Sequence, residues 1–110
     1  MTKLLSQHCE ACHRDAPHAT EAEIADYLPQ IPEWEIIEEG FMKRLQRVYR
    51  FENFADALAF TVRVGELAES ERHHPSLLTE WGRVRVTWFT KKIKGLHRND
   101  FVMAAKTDRL

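Results

Sequence analysis

Two adjacent histidines followed by a proline, His73-His74-Pro75, are the residues of this 110-residue chain whose types and spacing most directly suggest chemistry. The histidine side chain titrates near neutral pH, so a pair can offer one proton donor and one acceptor. Proline fixes its own backbone angle and restricts that of the residue before it, which sets both imidazoles on a short rigid corner. A His-His pair at a helix end also serves as a helix-dipole partner or as plain polar surface, and spacing alone does not choose. Glu69, four residues before His73, either orients that ring by an i,i+4 contact or is a solvated residue of a helix face.

A second chemistry-bearing stretch is His8-Cys9-Glu10-Ala11-Cys12-His13. Cys-x-x-Cys-His has the form of a haem attachment site, but such attachment normally follows export, and no apolar signal region is readable in Met1 to Ala11. His8, Cys9, Cys12 and His13, with His18 as a further candidate, have the donor types of a metal site. No second Cys-x-x-Cys completes it, and four ligands in six residues demand a tightly folded loop. A redox role lacks the strand and long helix that would frame it. The plainer reading is a mobile arm, residues 1–19, with incidental thiols and no metal, ahead of one domain over residues 20–110.

The elements that must position the histidines follow from patterning. Thr20 and Glu23 form a capping-box pattern that opens a short helix ending near Pro29. Trp34 to Glu39 and Phe41 to Phe51 read as two extended runs joined at Gly40, whose freedom suits a tight hairpin. Asn53 caps the longest helix, which runs to about Arg72 with an apolar stripe of Phe54, Leu58, Thr61, Val62, Gly65, Leu67 and Ala68. Pro75 requires that helix to have ended by His74. Trp81 to Lys92 reads as a strand, because Val84, Val86 and Trp88 alternate with Arg83, Arg85 and Thr87. Ser76 to Glu80 is its hairpin partner or a loop leading in, and Arg98 to Arg109 is a last helix. The order α-β-β-α-β-β-α implies an α+β fold, a small antiparallel sheet with helices packed on one face. Such a sheet leaves edges open for self-association.

Composition bounds the function. The chain is 44% hydrophobic and 30% charged, with 16 basic against 17 acidic residues. That suits one globular domain and supplies no long-range attraction to nucleic acid or anionic lipid. Apolar runs are too short to span a bilayer, so the expected compartment is cytoplasmic.

Taken together, Glu69, then His73-His74-Pro75, an aromatic at Trp81, Gly95-Leu96 and Asp100 resemble the pterin-4a-carbinolamine dehydratase family, over roughly residues 21–108. The arm with Cys-x-x-Cys resembles that of bacterial members. The resemblance implies dehydration of 4a-hydroxytetrahydrobiopterin to quinonoid dihydrobiopterin, in tetrahydrobiopterin recycling for phenylalanine hydroxylase. It implies acid–base chemistry without cofactor or metal, in a homodimer or homotetramer. It places His73 and His74 as the paired catalytic histidines, and Arg72 to His74 with Phe89, Thr90, Lys91 and Lys92 around the pterin. Glu69, Pro75, Trp81 and Asp100 are then supporting residues.

Lys91 stands where the family has a third histidine. An ammonium donates a proton or holds an oxygen, and acts as a base only if burial removes its charge. The alternatives are a strand-end surface lysine, or substitution by His97 folding back toward the pocket. A catalytically weakened or non-catalytic regulatory module is therefore the second reading, since animal members also act as dimerisation cofactors of a homeodomain transcription factor. Asp100 is expected mainly to accept backbone N–H bonds in the first helical turn, with an indirect effect on the pocket. Trp81 stacks on a flat ring or belongs to the core.

Overall fold

The computed structural model describes residues 3–10 and 16–110. Helix α1 spans Glu21–Tyr27, strands β1 and β2 span Glu35–Glu39 and Met42–Arg50, and α2 spans Phe54–Glu71. Strands β3 (Ser76–Glu80) and β4 (Arg83–Trp88) follow, and α3 (Arg98–Thr107) closes the order α-β-β-α-β-β-α. The fold is the α+β arrangement expected from the patterning. One antiparallel sheet has the order β1-β2-β4-β3, so the two hairpins meet at the β2–β4 seam. Leu45 of β2 and Val84, Val86 and Trp88 of β4 point to the helix-covered face and are fully buried. Removing such side chains from water is the main favourable term in folding.

The capping box forms as read: the Thr20 hydroxyl accepts from Glu23 N at 3.1 Å and the Glu23 carboxylate from Thr20 N at 2.9 Å. Asn53 Oδ1 likewise accepts from Asp56 N at 2.7 Å and opens α2. The face of α2 that enters the core differs from the expected stripe. Ala57, Phe60, Val64 and Ala68 are buried, whereas Phe54, Leu58 and Val62 are exposed, the last by 52%. Two apolar stripes lie side by side on this helix, and tertiary packing selects the one whose alanines allow close approach to the sheet. The last strand is also shorter than Trp81 to Lys92. Trp81 stands 73% exposed in the β3–β4 turn, outside the core, because Gly82 at φ +77° reverses the chain there. Beyond Trp88, Lys91–Ile93 is a turn of 3-10 helix, closed by the Thr90–Gly95 bridge.

The segment expected as a mobile arm lies along the domain in its described part. Leu4 is fully buried, and its N–H donates to Gln30 Oε1 at 2.9 Å. Cys9 N donates to Glu71 Oε1 at 2.9 Å, and Asn99 clasps both backbone groups of Glu10. Eight of the ten residues of α3 are buried, since sheet, α2 and this segment surround it. No helix among the described residues is long and apolar enough to cross a membrane.

Gly40 and Phe41 both adopt positive φ, 59° and 62°, between β1 and β2. Paired positive angles give the hairpin twist, yet a side chain in that conformation costs roughly 1–2 kcal/mol. Phe41 is 99% exposed and has no core packing to lose. Phe41→Gly is expected to raise stability by about 1 kcal/mol in urea unfolding.

Candidate active site

Helix α2 stops by turning left-handed. Arg72 has φ 54° and ψ 39°, and its N–H and that of His73 both return to the Ala68 carbonyl. Without glycine at this position the conformation carries a steric cost, and the backbone bonds hold it. The consequence is that His73 and His74 diverge. His73 turns inward and is buried, while His74 turns outward and stays exposed.

The inward ring meets a carboxylate. His73 Nε2 lies 2.6 Å from Asp100 Oδ1, and the ring stacks on Trp88 at 5.8 Å and 10°. Asp100 is fully buried at the start of α3. Its other oxygen accepts from the Thr90 hydroxyl at 2.7 Å and from His97 N at 2.9 Å. A buried carboxylate is tolerable only when its lone pairs are satisfied, and three groups do so here. Asp100 therefore performs the backbone capping expected of it and also binds His73 directly, which the sequence had not indicated. The acceptor role of Asp100 puts a proton on His73 Nε2 and the lone pair of the neutral ring on Nδ1.

The outward ring meets Glu69. His74 Nε2 lies 2.8 Å from Glu69 Oε1, with both groups solvent-exposed. The glutamate thus contacts His74 in place of the expected His73, because the left-handed residue carries His73 off the helix face.

A cleft of about 670 Å³ opens at this corner. Arg72, His73, His74, Pro75 and Ser76 form one wall; Phe89, Thr90, Lys91 and Lys92 form the other. Every residue expected around the ligand is thereby brought together. Lys91 is exposed on the rim. Trp81 is not among the lining residues: it sits in the turn at the far end of β3, whose five residues span roughly 17 Å. Ser76 was missed, and so were the Trp88 stack and the Thr90 bond to Asp100. Thr90 and Asp100 are ten residues apart, and no periodicity reports their meeting.

His97 does not reach the pocket as a third histidine. It caps α3, with Nδ1 accepting from Asn99 N at 3.0 Å. Histidine is an uncommon cap, which is why the His97–Asp100 box escaped notice. Burial pushes the His97 pKa down, partly opposed by the charge of Asp100. His18 Nε2 donates to the Ile93 carbonyl at 2.6 Å and braces the loop that carries the lysines. Its ring leaves no room for a Cβ at Gly95, the closest approach being 2.9 Å. His8 pairs with Glu71 at 3.1 Å. Cys12 and His13 lie outside the described residues, and among the described ones no three His, Cys, Asp or Glu side chains could hold a metal together.

The family comparison now bears on this geometry. The sequence pattern of the family described as pterin 4 alpha carbinolamine dehydratase matches residues 17–110. The chain belongs to that family. A protein of Nitrosococcus oceani named for pterin-4-alpha-carbinolamine dehydratase is 58% identical over 110 residues, covering 100% of this chain and 97% of its own. One from Gloeobacter violaceus, named likewise, is 60% identical over 107 residues, covering 97% of this chain and 92% of its own. The crystal structure of a transcriptional coactivator/pterin dehydratase from Brucella melitensis is similar at TM-score 0.74 and 27% identity, over 84% of this chain and 97% of the other. The buried His73–Asp100 pair and its cleft thus belong to a dehydratase fold.

Two outcomes follow from the Asp100 network. Asp100→Ala leaves three donors without a partner and is expected to lower stability by about 3 kcal/mol in denaturant unfolding, more than an exposed control such as Glu69→Ala. Because the folded state depresses the His97 pKa, the unfolded chain binds the extra proton first as pH falls. The stability linked to His97 is complete above its ordinary value near 6.5 and is lost as pH falls through the lowered one. His97→Asn, which keeps a capping acceptor, is expected to flatten the stability slope between about pH 7.5 and 5.5.

Proposed function

We propose that this chain dehydrates 4a-hydroxytetrahydrobiopterin to quinonoid dihydrobiopterin and water, with His73 as the base. The observation that carries the reading is the 2.6 Å pairing of His73 with buried Asp100 at the wall of the cleft. In the reaction the N5 lone pair forms the C4a=N5 bond, the C4a–O bond breaks, and the hydroxyl leaves as water. One proton passes from N5 to a base and one from an acid to the departing oxygen.

His73 suits the first transfer. Asp100 holds its Nε2–H and stabilises the imidazolium that results, as a carboxylate does for a histidine base in other enzymes. His74 suits the second, standing at the cleft wall with its Nε2 2.8 Å from the Glu69 carboxylate. Lys91 adds an ammonium donor on the opposite wall, where it can hold the departing oxygen. Arg72, Phe89, Thr90 and Lys92 surround the ring, and Pro75 holds the corner. Trp81 is left without a part in this chain's cleft. No step calls for a metal or a cofactor.

In this reading the chain serves tetrahydrobiopterin recycling for phenylalanine hydroxylase in the cytoplasm. The open β3 edge and the exposed Leu58 and Val62 of α2 support assembly into a homodimer or homotetramer. The arm and the domain at 20–110 act as one unit in this reading, because Asn99, beside Asp100, grips Glu10. Lys91 favours a second reading, a weakened or non-catalytic binding module.

A stopped-flow dehydratase assay separates the two. His73→Ala is expected to lower the rate by about 10²–10⁴-fold, and His74→Ala and Lys91→Ala by about tenfold each. A wild-type rate no faster than the spontaneous one, restored by Lys91→His, selects the non-catalytic reading.

A further inference from the structure

Among the described residues three cations, Arg72, Lys91 and Lys92, line the cleft, and no carboxylate does. The dihydroxypropyl substituent of a biopterin is neutral and makes no ion pair in such a cleft. A second depression, of about 180 Å³, adjoins the cleft on the helix-free face of the sheet and shares Ser76 with it. It contains Arg44 and Arg85, with Glu39 as its one carboxylate among the described residues. Gln46 and Thr87 form its polar floor, Gln46 Nε2 donating to the Thr87 hydroxyl at 3.2 Å.

The strand register makes the two hollows continuous. Gln46, Thr87 and Ser76 lie side by side across β2, β4 and β3. One step toward the cleft, the Arg44 guanidinium covers the Phe89 ring at 4.3 Å, and Phe89 is part of the cleft wall. One step away stands Arg85, exposed and opposite Val48 and Leu78. Residues two apart on a strand share a face at roughly 6.6 Å, so Phe89, Thr87 and Arg85 form a track leading out of the cleft. Arg44 Nε is buried with no hydrogen-bond partner, and neither Arg44 nor Arg85 forms an ion pair among the described residues. A buried donor on a cation without a partner is a costly arrangement unless a ligand satisfies it.

We infer that the preferred substrate is a 4a-hydroxytetrahydropterin whose 6-substituent ends in an anion, phosphate or carboxylate, held by Arg44 and Arg85 on this track. The inference rests on the dehydratase reading, with the ring at His73 and the substituent directed over Ser76 and Thr87. Biopterin turns over in the same cleft without using the track. Arginine suits the role because its planar fork matches both oxyanions.

The test uses three stable oxidised pterins and their fluorescence: neopterin, its terminal phosphomonoester, and a pterin with a terminal carboxylate on a side chain of equal length. Wild type is expected to bind one or both anionic probes about tenfold more tightly than neopterin at low salt, a margin that narrows as salt screens the charges. Preference for one anion alone identifies which group the track takes. Arg44→Gln and Arg85→Gln are each expected to lower the ratio of neopterin Kd to anionic-probe Kd at least about threefold. Equal affinities in wild type overturn the inference, as does a ratio that survives both substitutions or a variant that weakens all three probes alike. The dehydratase assay on a 6-methyl carbinolamine reports separately on the underlying reading, since that substrate has no side chain for the track.

Discussion

Everything at the active corner depends on one buried carboxylate. Asp100 has no solvent to stabilise its charge, so it draws His73 from the end of α2, Thr90 from the end of β4 and the backbone of His97 from the start of α3. These three groups come from the segments that line or brace the cleft. Satisfying the carboxylate and shaping the site are therefore the same event, and each bond gains strength from the low polarity around it. The stack of His73 on Trp88 then ties this polar knot to the hydrophobic core.

The surrounding backbone accepts strain to deliver those groups. Arg72 and Lys94 both take left-handed angles without being glycine, one just before His73 and the other just after the lysine-bearing turn. Both flank the cleft, where departures from ordinary backbone geometry concentrate in proteins. Bracing comes from elsewhere: His18 packs on Gly95, the Thr90–Gly95 bridge closes the turn, and the N-terminal segment grips Asn99. A segment with no described residue in the cleft lining thereby adjoins the residue next to Asp100.

Family membership and geometry contribute different things to the functional conclusion. Membership gives the reaction. The geometry gives a chemical distinction between the two adjacent histidines, one dry and carboxylate-paired, the other wet and beside an exposed glutamate. Different surroundings are what allow one residue type to serve as base and acid in a single step. Lys91 adds charge where an imidazole is expected, and with Arg72 and Lys92 it makes the cleft more cationic than a neutral substrate calls for.

Beside the cleft residues that the family resemblance implied, the sequence by itself determined the order of elements, the caps at Thr20 and Asn53 and the corner at Pro75. These are local matters, governed by backbone angles, capping donors and side-chain periodicity within a few residues. Tertiary structure alone decided which apolar stripe of α2 is inside, that Trp81 stands out in a turn, that Glu69 serves His74, and that Asp100 holds His73. The helix stripe and the Asp100–His73 bond depend on which surfaces meet across the chain, while Glu69 and His74, five residues apart, meet through the backbone turn between them. Burial energy there is summed over contacts that no local pattern records, and a left-handed residue at Arg72 redirects every side chain after it.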